Sequence, residues 1–446
     1  MANRNNSLLV LIIGWLTIAG IYVSHTPPNH RSYDFNGHVD YTKIIVNESR
    51  LPKPNFKEVA EGVQPPLYYF LNSLIAGDLL KINKKSINID SEKINKLLEE
   101  KKIKHLNIIR GMSVLYGLIT LITIFWLLNK TTSNILMQLL VLFFIASTPR
   151  FVFIFSTYNN DSLAIMFSIL IIALSYKLNL NWSWDAAYRL LLVSILGVYS
   201  KCSVILCIGI IVLMCCKNIF FLKPLEKNKK QLVTILILAV LSIFPWFLMH
   251  DYRYTGNLFP NNYENVSYKK IKIEQLKSTL KMVFRIPLIQ SEPHEWNDPW
   301  AHVYPMQSSK KNDYWAYSFV SSIIGLFIFQ NPSVNVVWIM LFIHLIVYIY
   351  GVSQIFKSEI NKLCGLFILL SHVGQMVHLP YIYSIHQGWH MDYRYISWCF
   401  LPWAILYAST LENKGKFYSW FFERILIIGI IVHIYFLATV SGNSFA

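Results

Sequence analysis

The chain has 446 residues, of which 54% are hydrophobic and only 14% are charged. Soluble domains carry about a quarter charged residues, so this composition excludes an ordinary soluble protein. The formal net charge of +16 comes mainly from Lys and Arg between apolar runs, where these residues favour membrane orientation and contact with anionic lipid head groups over nucleic-acid binding.

Apolar runs recur along the whole chain and predict an all-α polytopic membrane protein with about eleven transmembrane helices. The predicted spans are residues 7–24, 111–128, 132–148, 162–176, 190–199, 203–216, 232–249, 334–350, 363–379, 396–408 and 425–440. Several are shorter than the roughly 20 residues that a straight span needs. The two short runs around Lys201 predict a helical hairpin sunk into the protein. We interpret residues 1–446 as a single membrane-embedded domain.

The distribution of cations orients the predicted helices. With the N-terminus inside, every short loop on the cytoplasmic side carries Lys or Arg, as the positive-inside rule requires. Two large polar loops, at about residues 25–110 and 250–317, then lie on the outer side. Because most of the polar residues are on that side, we expect the functional site there.

The most informative stretch of the first outer loop is residues 33–41, Tyr-Asp-Phe-Asn-Gly-His-Val-Asp-Tyr. In a helix, Asp34 and His38 would share one face, and a carboxylate beside an imidazole could act as a general base toward an incoming hydroxyl. The alternative is that Asp34 caps a short helix and His38 packs on it.

Two further motifs begin predicted helices on the outer side. Residues 61–69 run from Glu61 through Gln64 and a double proline to Tyr68 and a second tyrosine. This pattern starts a helix at the membrane interface and by itself indicates an anchor. Asn160 and Asp161 open the fourth span, where an acidic residue is either a helix cap or a functional group.

Three cations, Lys201, Arg253 and Arg394, map to the outer ends of predicted spans, and Tyr395 follows Arg394. Cations at this depth cost free energy unless they snorkel to the interface or pair with an anion. One isolated Lys would snorkel. Three cations on one side suit a lipid phosphate, which Arg binds through two hydrogen bonds and Lys binds as a point charge.

Histidines and acids of the outer side could also build a metal site. They are His25, His30, His38, His294, His302, His386 and His390, with Glu61, Glu292 and Glu295. No pair has HExxH spacing, so we assign no metal ligands and no required cofactor. A divalent metal stays an open alternative.

The order of these motifs resembles the GT-C superfamily of membrane glycosyltransferases, in particular its protein-mannosyltransferase and aminoarabinose-transferase-like branch. The order is a first span, Asp34 followed by His38, Gln-Pro-Pro-Leu-Tyr-Tyr at residues 64–69, Asn160-Asp161 opening a span, Lys201 in a hairpin, and Arg394-Tyr395 before a late span. The motifs match over residues 33–69, 149–163, 197–203 and 393–402, within a coarse topological match over most of the chain.

The resemblance implies an inverting enzyme that transfers a sugar from a polyprenyl phosphate to a lipid, glycan or protein acceptor on the non-cytoplasmic face. Asp34 matches the catalytic base of that family. Where the family often has Asp-Glu, this chain has Asp34-Phe35, which argues against a metal-assisted reaction. The residues expected to bind the substrate or its lipid phosphate are His38, Lys201, Arg253, Arg394 and Tyr395. Possible supporting residues are Asp40, Glu61, Gln64, Tyr68, Asn160 and Asp161.

Two alternatives remain: a transporter or lipid flippase, and a non-catalytic subunit that binds a lipid-linked glycan. A transporter would carry charged residues within its spans and symmetry between its halves, whereas the spans here contain almost no acids. The richness in Lys, Ile and Asn indicates an AT-rich bacterial genome, and therefore an inner-membrane protein with its site on the periplasmic side. The sequence does not identify the sugar or the acceptor.

Overall fold

The computed structural model describes residues 2–28, 35–54, 58–81, 91–216, 226–255, 314–324, 331–382, 393–412 and 416–439. Regular secondary structure within these ranges is entirely helical. The α-helices are α1 (Ala2–His25), α2 (Phe35–Glu48), α3 (Leu67–Ala76), α4 (Ser91–Thr131), α5 (Ile135–Ser147), α6 (Pro149–Ser156), α7 (Asp161–Leu180), α8 (Trp184–Ser200), α9 (Val204–Cys216), α10 (Glu226–Leu241), α11 (Phe244–Trp246), α12 (Arg253–Thr255), α13 (Tyr314–Ile323), α14 (Asn331–Val352), α15 (Glu359–Ile382), α16 (Phe400–Glu412) and α17 (Lys416–Thr439). Shorter turns are 3-10 at Gly77–Leu80 and Tyr393–Cys399 and π-helical at Phe247–Tyr252.

Six helical stretches in the described residues are long and apolar enough to cross a membrane. They are Asn5–His25, Lys96–Thr131, Asp161–Leu178, Lys230–Thr255, Asn335–Val352 and Tyr418–Thr439. The bent pair α5 and α6 makes a seventh if it is counted as one span. The other predicted runs lie mainly in helices that do not meet this test, so a multi-pass membrane protein is established and the count of eleven stays a prediction.

The longest helix, α4, joins the first outer loop to a membrane span without a break. The apolar run predicts a span that begins at residue 111, but residues 91–110 contain neither Gly nor Pro, and nothing there stops the helix. The polar outer turns of α4 therefore continue directly into its apolar part. They carry Lys102 and His105 toward α2 and α3, which the first outer loop contributes.

A bend of 68° separates α5 from α6. Pro149 has no N–H to continue α5, but it fits the first turn of a new helix, where it begins α6. Thr148 has a ψ of 125°, the extended backbone typical of a residue before proline. The bend places Arg150, which is fully buried, at the start of α6.

Close contact between α1, α4 and α6 depends on Gly117 in α4. A Cβ atom on Gly117 would lie 2.6 Å from the Trp15 ring and 2.8 Å from the Cβ of Phe155. The Trp15 indole N–H donates to the carbonyl of Val114 at 2.9 Å. The absence of a side chain at residue 117 thus lets two aromatic residues pack directly on the α4 backbone.

Arg110 of α4 fastens the outer ends of α1 and α6. Its guanidinium donates to the carbonyl of Thr26 at 3.0 Å, to the Thr26 hydroxyl at 2.8 Å and to the carbonyl of Ser156 at 2.9 Å. Every nitrogen of this buried cation therefore has a hydrogen-bond acceptor, as a buried charge requires. The contact positions the segment 157–160, which follows α6.

Candidate active site

α2 carries His38 into a buried cluster of aromatic side chains. His38 is 3% exposed, and its Nδ1 lies 3.0 Å from the hydroxyl of Tyr69 on α3. The rings of Tyr68 and Tyr158 lie 6.1 and 6.2 Å from the imidazole ring. His38 and Tyr68, both expected at the site, therefore lie together. Asp34 is outside the described residues.

Glu61 closes the same cluster from the loop before α3. It is 7% exposed and interacts electrostatically with the hydroxyls of Tyr41 and Tyr69. Gly37 permits this approach, because a Cβ on it would lie only 3.1 Å from the Glu61 side chain. Burial raises the pKa of Tyr41 well above its ordinary value, so the phenol stays protonated and donates to the backbone carbonyl of Gln64 at 3.3 Å.

The Tyr158 hydroxyl connects three elements of this region. It lies 3.0 Å from the hydroxyl of Thr42 on α2 and accepts a hydrogen bond from Asn72 of α3 at 3.3 Å. The Nδ1–H of His105 donates to the carbonyl of Ala76, which leaves Nε2 of the neutral imidazole as an acceptor, 3.4 Å from the Tyr158 hydroxyl. Burial raises the pKa of Tyr158 to about 12, so its hydroxyl stays protonated and can donate one hydrogen bond.

A buried ion pair joins Lys201 to the start of α7. α7 and α8 follow one another through a short loop and pack together, so the first residue of α7 and the residue after α8 lie at the same end. The Lys201 ammonium is 2.6 Å from the carboxylate of Asp161 and 3.1 Å from the side-chain oxygen of Asn160. These three residues, predicted separately from the sequence, therefore form one unit.

Two arginines extend this pair into a charged cluster of Arg150, Asp161, Lys201 and Arg394. Arg150 and Arg394 interact electrostatically with the Asp161 carboxylate, as Lys201 does. The Arg394 guanidinium lies 4.9 Å from the ring of Tyr395 and donates to its hydroxyl at 2.9 Å. The Lys201 ammonium lies 5.4 Å from the same ring. Both cations therefore lie within cation–π distance of the Tyr395 ring.

The segment 157–161 connects the aromatic cluster with the charged cluster. Tyr158 contacts α2, and Asp161 contacts Lys201 three residues later, so their Cα atoms are at most about 11 Å apart. Phe35, the first residue of α2, also lies against Tyr158, with 6.3 Å between ring centroids. The end of α2 that follows Asp34 in the sequence is therefore next to the segment that carries Asp161.

Two of the predicted site residues have exposed side chains. Asp40 is two residues from His38 and therefore on the opposite face of α2, where it pairs with Lys43 at 3.0 Å. Arg253 is exposed on α12. Neither position brings the side chain into the aromatic cluster.

Sequence reasoning missed several residues of this region. Tyr158 and Arg150 carry no sequence signal beyond a polar group beside an apolar run. His250 and Asp251 lie in the π-helical turn, a feature that has no readable pattern and that is frequent at functional sites. His250 lies 2.7 Å from the Asp251 carboxylate and 2.7 Å from the carbonyl of Pro52, which fastens this turn to the first outer loop.

In the part of the chain that the structure describes, no three or more His, Cys, Asp or Glu side chains come together in a way that could hold a metal ion. The buried carboxylates of the site interact with protein side chains. Asp161 faces cations and Glu61 faces tyrosine hydroxyls. A divalent metal therefore stays an untested alternative.

No protein-family model matches this chain, and no curated protein matches it. Solved structures of the oligosaccharyltransferase of Archaeoglobus fulgidus are similar. A form tethered to an acceptor peptide containing the NVT sequon has 11% identity and a TM-score of 0.50 over 97% of this chain and 54% of that chain. The apo form has 12% identity and a TM-score of 0.51 over 98% and 56%.

A third structure of the archaeal protein, AglB in complex with an inhibitory peptide and a dolichol-phosphate, has 13% identity and a TM-score of 0.48 over 98% of this chain and 56% of that chain. The present chain thus spans little more than half the length of the proteins that it matches. At such identities the first two similarities show the fold alone. The chain therefore shares the helical fold of the part of the Archaeoglobus fulgidus oligosaccharyltransferase that it matches.

Proposed function

We propose that the protein is a membrane glycosyltransferase that moves a sugar from a polyprenyl-phosphate donor to an acceptor on the non-cytoplasmic face. Its motif order resembles that of the protein-mannosyltransferase and aminoarabinose-transferase-like branch. The acceptor is a lipid, a glycan or a protein, and the peptide acceptor of the archaeal oligosaccharyltransferase keeps proteins among these classes. We place the enzyme in a bacterial inner membrane, with its active site on the periplasmic side.

One observation carries the proposal: Lys201 and Arg394 lie at a single ring, Tyr395, beside the buried Asp161. Two cations held close together attract an anion that can contact both, and Arg and Lys are the side chains that bind phosphate. The phosphate of a polyprenyl donor would be such an anion, and its isoprenoid tail would remain in the lipid.

The chemistry requires one base and one anion site. Asp34 takes the proton from the acceptor hydroxyl, whose oxygen attacks the anomeric carbon on the face opposite the phosphate. The bond between the anomeric carbon and the phosphate oxygen breaks, and its electron pair stays on the phosphate. The configuration at the anomeric carbon is thereby inverted. His38, held by the Tyr69 hydroxyl, orients Asp34 or binds a sugar hydroxyl.

Lys201 and Arg394 stabilise the departing polyprenyl phosphate, and Arg253 is a further candidate at the outer side. The phosphate gains negative charge as the glycosidic bond breaks, so fixed cations bind the transition state more strongly than the donor. Loss of one such group lowers the rate by roughly a hundred- to a thousandfold. This dependence separates a catalytic cation from one that only snorkels to the interface.

The test is turnover by the purified full chain with a radiolabelled polyprenyl-phosphate sugar, repeated over a panel of sugars. We expect release of polyprenyl phosphate, and a loss of at least about a hundredfold in Asp34→Asn. The matched control is Asp78→Asn, because Asp78 is an exposed carboxylate of the same outer loop that pairs only with Lys81 among the contacts described. This control should keep wild-type activity.

Each alternative gives a different result. Absence of released polyprenyl phosphate with every sugar, or full activity in Asp34→Asn, would refute the transferase. Binding of the labelled lipid without turnover would indicate a non-catalytic subunit. Movement of the labelled lipid between the leaflets of proteoliposomes, again without turnover, would indicate a flippase.

A further inference from the structure

The side-chain amide of Asn160 has one polar atom with a hydrogen-bond partner and one without. Asn160 directly precedes α7 and is 1% exposed. Its oxygen accepts a hydrogen bond from the Lys201 ammonium at 3.1 Å. Its Nδ2 is buried and has no hydrogen-bond partner among the described residues. A buried donor without an acceptor lowers stability and is uncommon in folded proteins, so we expect an acceptor from outside the chain at this place.

The direction of this unpaired NH2 group follows from the chemistry of Lys201. The oxygen and nitrogen of an amide are similar in shape, and their hydrogen-bond partners decide which is which. An ammonium has three N–H donors and no acceptor, so only the oxygen of Asn160 can face it. The NH2 group therefore points away from the ammonium. It stays within roughly 5 Å of it, because the nitrogen and oxygen of one amide share a carbon atom.

The neighbouring Asn159 has the purely structural role that Asn160 lacks. Its Nδ2 donates to the carbonyl of Ile154 at 2.9 Å and to the hydroxyl of Thr157 at 2.8 Å. Its oxygen accepts from the backbone N–H of Ser162 at 3.0 Å and so caps the first turn of α7. Both polar atoms of Asn159 thus have partners within the chain, and the Asn160 side chain makes no capping hydrogen bond.

The Lys201 ammonium provides a second donor at the same place. Asn160 and Asp161 accept two of its N–H groups, at 3.1 and 2.6 Å, and the described residues offer no third acceptor. An ammonium N–H near an amide N–H makes a site that consists of donors, one of which carries a positive charge. Phosphate oxygens are negatively charged acceptors and complement both donors. A sugar hydroxyl is neutral and would pair with the amide without using the charge of the ammonium.

We propose that Asn160 is a phosphate-binding residue whose Nδ2 donates to a phosphate oxygen of the polyprenyl-phosphate donor, next to the Lys201 ammonium. The hydrogen bond between Lys201 and Asn160 holds the amide in the orientation that this contact needs. The inference rests on the proposed function, because it assigns a neutral residue to the lipid-phosphate site of that reaction.

The experiment measures the affinity of the full chain in lipid nanodiscs for radiolabelled farnesyl phosphate. Farnesol, which has the same tail without the phosphate, and empty nanodiscs correct for partition of the tail into lipid. We expect Asn160→Ala, which removes the donor, to weaken the binding of farnesyl phosphate by about tenfold to a hundredfold, the effect of losing a hydrogen bond to a charged group. The binding of farnesol should stay the same.

Asn160→Asp separates phosphate binding from packing. The new side chain has the shape of asparagine and keeps an oxygen toward Lys201, so a residue that only holds Lys201 would tolerate the change. A carboxylate oxygen in place of the NH2 group would repel a phosphate, so we expect a greater loss of affinity than in Asn160→Ala. Wild-type affinity for farnesyl phosphate in Asn160→Asp would overturn the proposal and leave a buried water as the partner of the amide. If Asn160→Asp does not fold, wild-type affinity in Asn160→Ala would do the same.

Asn159→Asp is the matched control. It introduces the same charge one residue earlier, but its cost is the loss of the hydrogen bonds to Ile154 and Thr157. We expect a lower unfolding temperature and an affinity for farnesyl phosphate close to that of the wild type. A loss of affinity as large as in Asn160→Asp would show that added charge, and not the missing amide donor, weakens binding, which would overturn the proposal.

This inference and the function on which it rests can fail separately. Turnover of the lipid-linked sugar, together with unchanged affinity for farnesyl phosphate in both Asn160 variants, would refute the role of Asn160 and leave the transferase intact. Binding of farnesyl phosphate that depends on Asn160, without turnover of any lipid-linked sugar, would refute the transferase and leave the phosphate site.

Discussion

The ammonium nitrogen of Lys201 lies 2.6 Å from the carboxylate of Asp161, and each of the two side chains is 9% exposed. The pair is not symmetrical in its surroundings. Removal of Lys201 leaves Asp161 with two arginines, whereas removal of the Asp161 charge leaves three cations without their shared carboxylate. The two halves of the pair should therefore differ in their effect on stability.

We expect Asp161→Asn to lower the free energy of unfolding by about 3–5 kcal/mol, the cost typical of a buried pair that loses one partner. Lys201→Met should cost clearly less, because the remaining carboxylate is still compensated. The measurement is chemical unfolding in detergent, followed by tryptophan fluorescence. Equal losses in the two variants would show that the arginines do not share the Asp161 charge.

Tyr158→Phe tests the connection between the two clusters. The change removes the hydroxyl that contacts Thr42, Asn72 and His105, and stranded buried polar groups cost about 1–3 kcal/mol. Because α2 would lose its hydrogen bond to the segment before Asp161, we expect kcat to fall by about tenfold with little change in the KM for the donor.

The control for Tyr158→Phe is Ser409→Ala. It also removes a buried hydroxyl, one that donates to the Asn361 side chain at 3.0 Å, away from the candidate site. It should lower stability without a change in kcat. A fall in kcat that simply follows stability in both variants would contradict a positioning role for Tyr158.

The sequence predicted the membrane character and several residues of the site for physical reasons. Runs without charges indicate helices in lipid whatever their packing, and Asn160, Asp161, Lys201 and Arg394 stood out because polar groups beside such runs are costly. Their meeting at one place follows from the short connection between α7 and α8 and from the packing of the 3-10 turn Tyr393–Cys399 against α7.

Other features depend on tertiary contacts that a linear pattern does not contain. Asp40 and Arg253 were grouped with the site by their position in the sequence, yet both side chains are exposed. Arg150 was overlooked because one arginine after a proline resembles an ordinary helix start. Its burial follows from the bend of 68° between α5 and α6, which directs the start of α6 into the interior.

The loop after α2 should have a pH-dependent contribution to stability. Arg50 donates to the Glu58 carboxylate at 2.7 Å, and this hydrogen bond holds the pKa of Glu58 below its ordinary value. The folded protein therefore binds this proton less readily than the unfolded chain. The contribution is fully present above the ordinary pKa of about 4.3 and is lost as the pH falls through the lower pKa of the folded state.

Because Arg50 is partly exposed, we expect this contribution to be about 1 kcal/mol or less. The comparison is between wild type and Glu58→Gln, whose unfolding temperatures should differ at pH 7 and converge at acidic pH. A difference that stays constant across this range would show that the carboxylate charge does not stabilise the loop.

Gly117→Ala should destabilise the junction of α1, α4 and α6. The new methyl group would lie 2.6 Å from the Trp15 ring and 2.8 Å from the Cβ of Phe155. A Cβ atom is fixed to the backbone, so Phe155 cannot relieve this contact by a change of rotamer. Overpacking of this kind costs about 1–3 kcal/mol, which exceeds the roughly 1 kcal/mol that alanine gains over glycine in a helix. The unfolding temperature should therefore fall.

Gly111→Ala in the same helix is the matched control, because a Cβ at that position meets no atom within 4 Å. The substitution has the same effect on the backbone of α4 but adds no clash, so we expect an unchanged or higher unfolding temperature. If both substitutions raised that temperature, helix propensity alone would govern α4, and Trp15 and Phe155 would have to pack on it less closely than these distances require.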